Sequence, residues 1–116
     1  MVVKRIAMIL NSGATSESTA TALALVERLL ARGNRVSVFA HDEAVTLTAG
    51  DTPAAQVVGA LLRRGASGAA LDWVVEAPAA DAFGVRDRQV HGVVQGDHHD
   101  LWAIVRSADV VLAPGV

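Results

Sequence analysis

Short runs of β-branched and aliphatic residues alternate along this chain with longer stretches of helical period, and that alternation constrains the fold more than any single motif. Strands and helices taking turns are what βαβ units produce, so the expected class is α/β: a three-layer α/β/α sandwich around a mostly parallel, five-stranded sheet. At 116 residues the chain is expected to form one domain over 1–116.

The first strand is expected over residues 3–10. Beyond Arg5 it is apolar on both faces, as a strand covered on both sides must be. A turn over 11–15 leads to a helix beginning near Ser16, with Ala22, Leu23, Val26, Leu29 and Leu30 on one stripe and Gly33 as its left-handed stop. A second strand covers 36–40. The β-branched run Val45, Thr46 and Thr48 argues against a regular helix over 42–49, which reads as loop or a single turn.

Thr52 before Pro53 is a strong helix start, and Ala54, Val57, Val58, Leu61 and Leu62 recur at helical spacing until Arg63, Arg64 and Gly65 close the segment. A third strand is expected over 70–75, a short helix over 79–83, a charged loop at Arg86, Asp87 and Arg88, and a brief strand over 90–94. Gly96 and Asp97 open the last helix. Asp97 and Asp100 stand at capping positions, with Leu101, Ile104, Val105 and Ala108 on its core face, and a fifth strand follows over 109–113.

Composition narrows the chemistry. The 22 alanines and 18 valines suit close helix-on-sheet packing. The absence of cysteine rules out disulfides, zinc–thiolate sites, persulfide carriers and thiol nucleophiles. A net charge of −2 gives no basic face for nucleic acid. The longest apolar runs are far too short to span a membrane. The chain therefore reads as a soluble, cytoplasmic domain with no nucleic-acid or membrane partner.

Ligands of open parallel sheets bind outside the carboxyl ends of the strands. Asn11, Ser12, Gly13, His41, Asp42, Glu76 and Gln95 all fall just after expected strands, so they are the candidates for one crevice. The turn from Asn11 to Ser16 offers hydroxyls, a glycine and free amides to a small molecule or anion, although it holds neither GxGxxG nor GxxxxGK[ST]; the alternative is an ordinary strand-to-helix turn. Glu76 and His41 are the candidate catalytic pair, as acid and base, if the strands bring them together; otherwise they are a strand end and a loop residue. His91, His98 and His99 gather near Asp97 and Asp100. Adjacent helical residues point about 100° apart and no HExxH spacing is present, so no metal and no other cofactor is expected. His98, Trp102 and Arg106 recur every four residues beside the buried stripe, a pattern that suits a subunit interface.

Three stretches carry a likeness to a known family: residues 6–13 (Ile6 to Gly13), residues 29–39 (Leu29 to Phe39), and the last helix and strand, from Asp100-Leu101 to Asp109-Val110-Val111-Leu112. In these the chain resembles the DsrE-like family of small sulfur-relay proteins over nearly its whole length. The resemblance implies the three-layer fold already expected and assembly as a dimer, trimer or hexamer. It also implies a persulfide-bearing cysteine just after the third strand, at or near Glu76. Here that position holds a carboxylate, which cannot carry sulfane sulfur. Three functions follow as expectations: a noncatalytic oligomeric protein that binds a small ligand or partner; a cysteine-independent enzyme using Glu76 and His41; or a structural subunit of a hetero-oligomeric sulfur relay, beside a homologous subunit that brings the thiol.

Overall fold

The computed structural model describes residues 4–66 and 70–114. It is a three-layer α/β/α domain. Five strands, β1 (Arg5–Leu10), β2 (Arg35–Ala40), β3 (Leu71–Glu76), β4 (Val94–Gly96) and β5 (Val110–Leu112), form one sheet in the order β4-β3-β2-β1-β5. All four pairings are parallel. The expected start of the first strand at residue 3 lies outside the described residues. The helices are α1 (Glu17–Ala31), α2 (Pro53–Ala66), α3 (Ala77–Ala82) and α4 (His98–Ser107), with 3-10 turns at Asp42–Thr48 and Arg86–Arg88.

The order explains the layers. From β1 to β4 the chain steps in one direction across the sheet, so right-handed crossovers place α1, α2 and α3 on one face. The connection from β4 to β5 runs back across the whole sheet and leaves α4 alone on the other. The main core lies under the first group. Met8, Leu10, Val36, Val38, Ala40, Leu71, Trp73 and Val75 meet Ala22, Val26, Val58 and Leu61 there. Alternation sends Ala7, Phe39 and Val74 to the opposite face, where they are also buried.

Several ends form as their residues dictate. Gly33 has φ of +85°, its N–H bonds the Leu30 carbonyl at 3.0 Å and Asn34 N–H bonds Leu29 at 3.1 Å, a Schellman stop. Thr52 Oγ accepts from Ala55 N–H at 3.2 Å and caps α2. Asp97 caps α4 through a full box: its carboxylate accepts from the His99 and Asp100 amides, and Asp100 returns a bond from Asp97 N–H at 2.9 Å.

Four expectations need correction. Residues 42–48 form two turns of 3-10 helix with Ala44, Val45, Leu47 and Thr48 buried, because packing under α2 and α3 overrides their low helical propensity. Gly65 does not stop α2, which continues to Ala66. The fourth strand begins at Val94 rather than Val90. Ala49 and Gln89 instead form an isolated antiparallel bridge, and Gly92, with φ of +99°, turns the chain before the strand begins. The intended core face of α4 is only half-buried, and no residue of that helix is fully buried.

Candidate functional site

The carboxyl edge of the sheet is built by register. Leu10 pairs with Ala40 and Ala40 with Val75, so the next residues of β1, β2 and β3 stand in a row: Asn11, His41 and Glu76. By alternation all three belong to the face that α4 covers, and the His41 ring lies 6.4 Å from that of Phe39 on the same face. The order in which the chain adds strands reverses between β1 and β5, so the switch point at which open α/β sheets hold ligands adjoins Asn11–Gly13.

Each member has a defined partner. Ser12 Oγ donates to Asn11 Oδ1 at 3.2 Å, and the buried Thr19 hydroxyl donates to the Ser12 carbonyl at 3.2 Å, tying the turn to α1. His41 Nδ1 sits 3.1 Å from the Asp42 carboxylate, with 30% of its side chain exposed. Asp42 has φ of +51°, in the left-handed region that aspartate enters more readily than most residues. Glu76, with 17% of its side chain exposed, lies 3.3 Å from His98 Nε2 at the start of α4. No ion pair joins His41 to Glu76 among the described residues, so the two candidate acid–base residues are neighbours in the row that pair elsewhere.

Two expected members behave differently. Gln95 pairs in register with Val75, which faces the main core, and its amide donates to the Arg86 carbonyl at 2.8 Å. It braces the Arg86–Arg88 turn rather than joining the row. His98 belongs to the site as well as to the α4 surface, because it reaches Glu76; Trp102, 61% exposed, and Arg106 carry the outer stripe alone.

Two residues escaped the sequence reading. Glu43 packs against Gly13 so closely that a Cβ there would lie 2.8 Å from its carboxyl carbon. Thr19 holds the turn from inside. Asp42-Glu43 directly after His41 was the available signal for the first, but a segment read as loop gave no reason to aim it at Gly13. The Ser16 hydroxyl bonds Ser18 Oγ at 2.7 Å and caps no amide. The turn therefore offers free amides, as expected, but a carboxylate already stands beside it, which counts against an anion. Asp42, Glu43 and Glu76 make the edge acidic. Among the described residues no group of three or more histidines and carboxylates converges as a metal site, and no helix is long and apolar enough to cross a membrane.

The fold and this edge define a small parallel α/β domain with a polar row at its switch point and one thinly covered face. No family model matches the chain, and no curated protein does. Among solved structures it is similar to the YchN protein from E. coli, with 21% identity, a TM-score of 0.80 and coverage of 97% of this chain and 99% of that one. It is also similar to MTH1491 from Methanobacterium thermoautotrophicum, described as a protein of unknown function, with 16% identity, a TM-score of 0.77 and coverage of 96% and 99%. At these identities the likenesses establish the fold alone, over 97% and 96% of the chain.

Proposed function

We propose that this chain is a cysteine-less relative of the DsrE-like domains, serving as a noncatalytic, self-associating binding protein. The observation that carries the reading is the thin layer that α4 alone forms over one face of the sheet. Trp102 on α4 is 61% exposed, and Val111 and Val94, in register with Ala7 and Val74 on the face that α4 covers, are left exposed at the two edges of the sheet. An exposed indole on a thinly covered face marks an interaction surface.

The occupant is a second copy. Helix α4 is acidic at its start, with Asp97 and Asp100, and basic in its last turn, with Arg106. His98 and Arg106 lie four residues either side of Trp102. Two such helices laid antiparallel about a two-fold axis through Trp102 bring Arg106 of one copy against the acidic end of the other, a self-complementary contact. Aromatic and arginine side chains are the residues that anchor such contacts.

The row of Asn11, His41 and Glu76 is the ligand edge. Its carboxylates favour a small neutral or cationic molecule rich in hydrogen-bond donors, and no thiol is present to carry sulfur. Light scattering on the purified chain, paired with a melting-temperature screen against amines, polyols and amides, tests the reading. An oligomer whose melting point rises with such a compound, and fails to rise in Glu76→Gln, supports it. A monomer indifferent to the whole panel contradicts it.

A further inference from the structure

At the opposite end of the sheet, β1 and β2 begin with arginines that are direct register partners, Arg5 and Arg35. Like charges set opposite each other across strands are destabilising. No ion pair relieves either guanidinium among the described residues. The nearby carboxylates are otherwise engaged: Asp109 accepts the backbone N–H of Arg5 at 2.8 Å, and Asp72 accepts the Ser37 hydroxyl at 3.3 Å. Both arginines instead line a cleft of about 240 Å3 between the sheet and α4, whose other walls include Ser37, Asp72, Ala103 and Ile104.

We propose that this cleft binds a small organic carboxylate that also carries a hydrogen-bond donor, the chemistry of an amino or hydroxy acid. Two exposed arginines in register on one face can present their guanidiniums to the two oxygens of a carboxylate, which supplies the counter-charge their side chains lack. Asp72, in register with Ser37 and so two residues further along the same face, has acceptor capacity beyond the Ser37 hydroxyl; it accepts the ligand's ammonium or hydroxyl and sets the site against a dianion. Ala103 and Ile104 provide a short apolar wall, and the volume admits about a dozen heavy atoms at most, below the usual range for drug-sized pockets. This site lies at the amino ends of the strands, and its ligand is independent of the row at the carboxyl edge.

Calorimetric titration of the full chain with valine, isovalerate and inorganic phosphate tests the assignment, using Arg5→Gln and Arg35→Gln, with Arg32→Gln at the end of α1 as control. Saturable binding of valine is expected, tighter than that of isovalerate, which lacks the donor. Each cleft variant weakens it at least tenfold while Arg32→Gln leaves it unchanged. The cleft variants melt no lower than the wild type, because removing either charge relieves repulsion, so lost binding does not reflect lost folding. Absence of saturable valine binding, binding retained by both cleft variants, or preference for phosphate would overturn the proposal.

Discussion

Single residues set the ends of several elements, because a left-handed φ or a capping side chain is worth about 1 kcal/mol at one position. Gly33 was readable as a left-handed stop, and its φ of +85° with open space beside it predicts that Gly33→Ala costs about 1 kcal/mol, all of it backbone strain. In the sequence Gly96 stands only as part of the lead into α4. A Cβ there would collide with Asp100 and Val74, so Gly96→Ala disrupts the capping box as well as the sheet, and chemical denaturation should find it the costlier of the two. Slight burial pushes the Asp97 carboxyl up, but hydrogen bonds from the Asp100 and His99 amides, with the nearby His99, outweigh it and hold the group below the ordinary aspartate value of 3.8. A depressed carboxylate stabilises the fold above its unfolded value, and that contribution fades as pH falls through the folded one. Asp97→Ala should therefore melt below the wild type at neutral pH, with the gap narrowing once the pH drops under 3.8. Glu43 was not legible, because nothing local to it says that its carboxylate will lie on Gly13.

Elements were legible where one period dominates, and misread where tertiary packing overrode it. The α2 stripe declared itself, whereas residues 42–48 carry β-branched side chains that become helical only because α2 and α3 bury them. The polar row suffered likewise: Asn11, His41 and Glu76 align because β1 to β3 end in register, but β4 begins four residues later than its apolar run suggested, so Gln95 lies inside that strand and parity turns it to the other face. The two tryptophans test the two layers separately. Trp73 is wholly buried in the main core with its indole N–H unpartnered. Trp73→Ala should destabilise by about 3–5 kcal/mol, and Trp73→Phe by much less, since it keeps a ring while removing the orphan donor. Trp102 belongs to the thin layer. Its truncation to alanine should leave the stability of a dilute protomer within about 0.5 kcal/mol. Acrylamide, which cannot reach Trp73, should quench Trp102 in dilute protein and progressively less as concentration rises.

Across the whole molecule, alternation of strand and helix made the α/β class readable, because a parallel sheet can be connected in few other ways. Strand order was not readable: the decision to send β5 beside β1 rather than β4 depends on packing between distant segments. That decision leaves a single ten-residue helix on one face, and from it follows the central claim that a second copy completes the layer. Sedimentation velocity over a dilution series, run beside Trp102→Glu, tests it most directly. The account predicts a wild type that sediments as a dimer or larger assembly and a Trp102→Glu variant that is folded and monomeric at the same concentrations. A wild type that stays monomeric at the highest concentration, or a Trp102→Glu variant that assembles as well as the wild type does, would contradict it.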